Sequence, residues 1–240
     1  MMKPNPGGIL SGEAVIDREN EINKIWLALE NQSVVLVSER RVGKTSIMRK
    51  MEANPENGWF PILYLVEGKE HPVEFVEGLY EILIGKGIVK DKFHQLKKFY
   101  IKYVGGEEIG SWKLPQIKNN WKLLLDSMIT DICNSGIKVL IMLDELPLML
   151  AKFIKRDEIG PIGTMGFLDT LREMRNKYEA TKNIFFIFCG SIGIQLVIKD
   201  LKKNHGYNSD PINNMKMISV SSMVSDFINS DIRFYKNGGK

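Results

Sequence analysis

VVLVSERRVGKTS, residues 34–46, is the stretch on which the reading of this chain turns. Val34, Val35, Leu36 and Val37 form a mostly β-branched apolar run, predicted as a buried strand over 34–38. A short polar loop follows and closes on Gly43-Lys44-Thr45, and SIMRKMEA continues as a helix over 44–53. Strand, loop and helix in that order is the setting of a phosphate-binding loop. There the loop N–H groups and the helix N-terminus face an anion, and the helix dipole favours its charge. Ser38, Glu39, Arg40, Arg41, Val42, Gly43, Lys44, Thr45 and Ser46 are therefore predicted to surround the phosphates of a nucleoside triphosphate. Lys44 would neutralise the β- and γ-phosphates, and the Thr45 hydroxyl would ligate Mg²⁺. The pattern G-x-x-x-x-G-K-[ST] holds except at its first position, where Ser38 stands for glycine. Serine is tolerated there if its backbone avoids positive φ. The alternative, a chance GKT in a surface turn, would not come with a strand before it and a helix after it.

A nucleotide-binding loop alone does not separate a kinase, a switch and an ATPase. VLIMLDE at 139–145 adds the discriminating letters. Lys138–Leu143 is a continuously apolar run, as expected of a parallel strand covered on both faces. It ends in Asp144-Glu145, the Walker B pattern in which the aspartate holds Mg²⁺ through water. A second carboxylate, Glu145, can act as general base towards an attacking water. Both lie at the carboxyl end of a predicted strand, where α/β sheets place their ligands. The next apolar strand, Ile184–Cys189, runs into Gly190-Ser191 and brings the Ser191 hydroxyl to the same rim. From there it could bond the γ-phosphate or the lytic water, although Gly-Ser is also an ordinary turn.

Composition narrows the class. The chain has 240 residues, 44% hydrophobic and 26% charged, which is ordinary for a globular protein. A net charge of +4 does not by itself imply a nucleic-acid partner. The two cysteines, Cys133 and Cys189, sit in apolar patterns without metal-ligand spacing, and a reducing cytoplasm with buried thiols is expected. The N-terminus carries no signal-peptide pattern, and no apolar run reaches the roughly 20 residues of a membrane helix. His71, His94 and His205 show no ligand spacing and receive no role.

Along the chain, residues 1–13 read as a flexible leader, 14–222 as one core and 223–240 as a short tail. Helices are predicted at Glu19–Leu29 (with Asp17 as N-cap), Pro72–Leu83, Trp121–Cys133 and Gly166–Ala180. Further strands are predicted at Phe60–Val66 and Met217–Ser221. The part 86–120 reads as a basic, partly helical insertion whose aromatics Phe93, Phe99, Tyr100 and Tyr103 interleave with lysines. Their spacing fits an amphipathic helix with a solvated lysine face better than a nucleic-acid platform. Strands alternating with helices predict an α/β fold with a parallel sheet.

SERRVGKTS at 38–46, LIMLDELP at 140–147, LREMRN at 171–176, FIFCGSIGI at 186–194 and IDRENEI at 16–22 together carry a resemblance. The chain resembles the prokaryotic P-loop ATPases of the AAA+/STAND class, often called archaeal ATPases, over residues 14–222. The resemblance implies a P-loop NTPase three-layer sandwich with a parallel five-stranded sheet in order 5-1-4-3-2. It also implies ATP with Mg²⁺, and a switch coupled to a protein or nucleic-acid partner. A nucleotide-dependent homo-oligomer is implied too, in which Arg172 or Arg175 reaches a neighbour's γ-phosphate; the alternative for both is a solvated helix-face charge. Such proteins usually continue into a helical lid and a winged helix, and 223–240 is expected to be a truncated lid. The expected activity is Mg²⁺-dependent ATP hydrolysis, with Glu145 and Ser191 catalytic and Thr45 and Asp144 at the metal. The alternative is a nucleotide-binding module with little hydrolysis. A small-molecule kinase would need an acceptor pocket and lid arginines, and the Asp-Glu pair favours water as acceptor.

Overall fold

The computed structural model describes residues 18–38, 42–88, 121–179 and 183–220. Helix α1 (Glu19–Leu29) leads into β1 (Val34–Val37), α2 (Lys44–Ala53), β2 (Trp59–Leu65) and α3 (Pro72–Gly85). Then come α4 (Trp121–Asn134), β3 (Lys138–Asp144), α5 (Leu146–Lys155), α6 (Gly160–Glu179), β4 (Ile184–Phe188), α7 (Ile194–His205) and β5 (Lys216–Ser219). The five strands form one sheet in the order β2-β3-β4-β1-β5, with every pairing parallel. Read from the other edge, this is the expected 5-1-4-3-2.

The period of two along each strand decides which layer each side chain joins. Val34, Leu36, Leu140, Met142, Phe185 and Ile187 face the side covered by α1 and α2. Val35, Val139, Ile141, Leu143, Ile184, Phe186 and Phe188 face the larger cluster built from α3 to α7. Both faces of the central strands are dry, and burying each large aliphatic or aromatic side chain stabilises by about 1.5–3 kcal/mol. Helix α1 buries Ile22, Ile25, Trp26 and Leu29, one stripe at helical spacing.

Predicted and observed elements differ at identifiable points. Arg18 occupies the N-cap of α1 and makes no side-chain cap bond, while the predicted cap Asp17 lies outside the described residues. Helix α6 begins at Gly160 rather than Gly166: Gly160, Pro161 and Gly163 read as loop, but Gly160 turns the chain at φ 60° and Pro161 takes a place in the first helical turn, where no N–H is needed. Helices α5 and α7 were not foreseen. His71 turns out to cap α3, its Nδ1 accepting the Val73 N–H at 3.2 Å. The leader, most of the basic insertion (89–120) and the tail from 221 lie outside the described residues. No helix among the described residues is long and apolar enough to cross a membrane.

The sheet's outer strand β2 contains Pro61, which has no N–H to give. Two residues on, the outward Leu63 N–H donates to Glu52 Oε1 of α2 at 3.0 Å. Glu52 is held in turn by Lys86 at 2.9 Å.

Candidate functional site

Adjacent strands β3, β4 and β1 end on one rim. After β1 comes Ser38, whose φ is not positive: among the described residues the non-glycine positions with positive φ are Glu145 and Asn214. The condition for serine in place of glycine is thus met. Gly43 caps α2 in the left-handed region, with φ of 90°. Glycine enters that region without the steric penalty of a Cβ. Lys44 and Thr45 open α2, so both side chains start from the positive end of a helix dipole.

Lys44 is buried, and its Nζ donates to Ser38 Oγ at 3.0 Å and to the Ser38 carbonyl at 3.3 Å. The ammonium therefore spans the loop from its last residues to its first. The Thr45 hydroxyl donates to Asp144 Oδ2 at 2.6 Å. That bond ties the start of α2 to the end of β3 across 99 residues of sequence. The other Asp144 oxygen, Oδ1, accepts the Glu145 N–H at 3.1 Å.

Glu145 sits at φ 60° and ψ 30° and caps α5. A non-glycine residue held there costs roughly 1–3 kcal/mol, and such strain gathers at functional sites. The turn directs its carboxylate across the rim to β4. Glu145 Oε2 accepts the Ser191 N–H at 2.8 Å and the Ser191 Oγ–H at 2.9 Å. Gly190 makes this approach possible, since a Cβ there would lie 2.5 Å from Pro147 Cδ. Ser191 thus meets Glu145 directly, a contact the sequence did not disclose. Cys189, buried beneath them, has its thiol pushed well above the usual cysteine range, first by burial and then by the Asp144 carboxylate.

Ser38, Val42, Gly43, Lys44, Thr45, Ser46, Asp144, Glu145 and Ser191 all fall at or beside this rim. Glu39, Arg40 and Arg41 lie outside the described residues. Arg172 and Arg175 are spent elsewhere. Arg175 is fully buried, its Nη1 donating to the Pro211 carbonyl at 2.8 Å and its Nη2 to the carbonyl and Oδ1 of Asn213. Arg172 Nη1 donates to Ser209 Oγ at 2.7 Å. Both fasten the α7–β5 connection within their own chain. A buried guanidinium so engaged is neither a solvated charge nor poised to reach a neighbour, which corrects both expectations for Arg175.

One contributor had no assigned role. Arg18 is buried, and its Nη2 donates to the Val42 carbonyl inside the loop at 2.6 Å while its Nη1 pairs with Glu21 at 2.7 Å. Its place in IDRENEI, the entry segment that the resemblance sets near the adenine, was the available signal, but sequence alone does not show which way the side chain turns.

A parallel five-stranded sheet of this order, with the Gly43-Lys44-Thr45 turn following β1 between β4 and β5, is the P-loop NTPase fold. Among solved structures, the chain is similar to the Walker-type ATPase PABY2304 of Pyrococcus abyssi, with a TM-score of 0.56 and 19% identity. The match covers 96% of this chain and 61% of that one. Weaker matches are the ORC2 protein of Aeropyrum pernix in ADPNP and ADP complexes (TM-score 0.49, 11% identity, 92% of this chain and 52% of that) and a DNA replication initiation factor (TM-score 0.42, 11% identity, 97% and 55%). The chain spans between about half and three-fifths of the length of these structures. No protein-family model and no curated protein sequence matches it.

Proposed function

We propose that this chain is the core of a Mg²⁺-dependent ATPase of the AAA+/STAND kind, whose hydrolysis drives a conformational switch towards a protein or nucleic-acid partner. The observation that carries the reading is the Thr45–Asp144 bond of 2.6 Å. It brings the first turn of the phosphate-loop helix against the Walker B carboxylate, one residue from a second carboxylate.

The donor set suits the ion. Thr45 Oγ1 and Asp144 Oδ2 are both oxygens, which a hard divalent cation takes, and a triphosphate would supply further oxygens. Thr45 would hold Mg²⁺ directly and Asp144 through water. Bound there, the ion neutralises charge on the β- and γ-phosphates. Lys44 would exchange its Ser38 contacts for phosphate oxygens, and the loop N–H groups would cradle the rest. Glu145 would orient a water and take its proton as the water oxygen bonds the γ-phosphorus and the bridging oxygen leaves with ADP. Ser191 would steady Glu145 during that step.

The second reading, a module that binds nucleotide and hydrolyses little, draws on the same contacts. A Glu145 oxygen engaged twice by Ser191 is an oxygen withheld from water. Glu145→Gln separates the two readings. Glutamine keeps the size and one acceptor but cannot take a proton at neutral pH. The expected outcome is Mg²⁺·ATP affinity near the parent's, with turnover lower by roughly 10²–10⁴-fold. A parent rate at background, matched by the variant, would favour the binding module.

A further inference from the structure

Arg18 is a charge out of place. It is 2% exposed, and an arginine is costly to bury unless its fork is engaged. It stands at the N-cap of α1, where a cation opposes the helix dipole, and its side chain caps nothing. To α1 it gives the Nη1–Glu21 pair of 2.7 Å. Its Nη2 instead reaches the Val42 carbonyl at 2.6 Å, 24 residues along the chain.

The peptide between Val42 and Gly43 is planar and trans, so the Val42 C=O and the Gly43 N–H point in opposite directions. Fixing one fixes the other. Gly43 has φ of 90° and no side chain to restrain it, so this peptide is one that could readily turn over. A Cβ on Gly43 would lie 3.7 Å from Arg18 Nη2, close enough for the guanidinium to guard this side of the loop. Glu21, 8% exposed, pairs with Nη1 at 2.7 Å and holds the fork in place.

We propose that Arg18 is a positioning residue of the phosphate loop: by holding the Val42 carbonyl on the α1 side, it aims the Gly43 N–H at a bound phosphate. The inference rests on the nucleotide reading above and adds to it a device that sets the loop before ligand arrives. An amide already aimed loses less freedom on binding, which is how preorganisation raises affinity.

The test is Arg18→Met combined with Glu21→Gln, so that no carboxylate is left buried without its partner. Chains labelled with ¹³C-carbonyl valine and ¹⁵N-glycine report only Val-Gly pairs, which fall at 42–43 and 104–105. Titration with ADP should move the Gly43 amide strongly downfield in the parent. In the double variant that movement should shrink, and ADP affinity by calorimetry should fall at least roughly tenfold, about 1.4 kcal/mol. Parent-like movement together with parent-like affinity overturns the proposal. A merely structural role would lower the melting temperature and leave the Gly43 amide response unchanged. If the double variant does not fold, Arg18→Lys serves, because an ammonium cannot serve Glu21 and Val42 with two parallel donors. It should give a smaller loss of the same two signals, and parent-like values in both overturn the proposal as well. Lys44→Ala, run alongside, separates the two levels. If it too leaves ADP binding intact, the phosphate-loop reading falls; if it alone loses ADP, the loop stands and the role of Arg18 falls.

Discussion

Replacing Arg175 by methionine isolates what a buried guanidinium does in this fold. Methionine fills much of the aliphatic stem's volume, so the loss is mainly polar. The Pro211 carbonyl sits beside a buried residue and would lose its 2.8 Å donor, a penalty of about 1–3 kcal/mol for a stranded acceptor. The two Asn213 oxygens are half-buried and can recover water, adding about 1 kcal/mol together. The sum is roughly 3 kcal/mol. In a domain of this size each kcal/mol moves the melting temperature by about 2–4 °C, so a fall of roughly 6–12 °C is expected. Urea and thermal unfolding, followed by tryptophan fluorescence, measure it. Arg175→Lys should recover only part, since one ammonium cannot span both carbonyls. A loss under about 0.5 kcal/mol, the range of an ordinary surface change, would refute the clamp. If stability were untouched and turnover fell only on self-association, the arginine would be reaching a neighbour after all.

Lys44→Ala should abolish most ATP binding in calorimetry, because the other donors fixed by the loop are backbone amides; equal affinity would remove the phosphate-loop assignment. Glu77 on α3 has its carboxyl raised above the ordinary range, first by burial and then by Glu81 and Glu74, with Lys69 opposing. A raised acid stabilises the fold while protonated and loses that contribution as pH climbs through its folded value. Glu77→Gln should therefore melt higher than the parent at pH 7, with the gap closing as pH falls to the ordinary carboxylate range near 4. A gap that is constant with pH would mean the repulsion is not felt.

Much of the architecture was legible because its signals are local. The run at 34–37, the run at 138–143 and the residues closing each of them are contiguous in sequence, and their continuous apolar character assigned them directly. Helices α5 and α7 were hidden by their neighbours. Leu146 follows straight on from a strand and a carboxylate pair, so LPLMLAKFIK reads as a continuation of the Walker B segment. Ile194–Ile198 merges with the apolar run of β4, and only Gly190 and Gly193 mark the break. Individual site residues were legible by type, but not by partner. Nothing in the sequence joins Arg18 to Val42, Ser191 to Glu145 or Arg175 to Asn213, because those contacts depend on how strands stack and on a left-handed turn at Glu145.

The two margins of the sheet are finished differently, and this governs how the protein can meet another chain. Along β2 three of the four outward positions offer no free donor: Trp59 N–H turns back to the Glu56 carbonyl, Pro61 has none, and Leu63 N–H is taken by Glu52, leaving exposed Leu65 at the strand's end. An incoming strand would find few donors to pair with there, which is one way natural sheets discourage edge-to-edge aggregation. At the opposite margin β5 is four residues long and exposes Lys216 and Met217. Short length and a lysine are milder deterrents than a missing donor. Among the described residues the β5 margin is therefore the more open to strand addition, and a strand added there would bear on β1 through a single intervening strand.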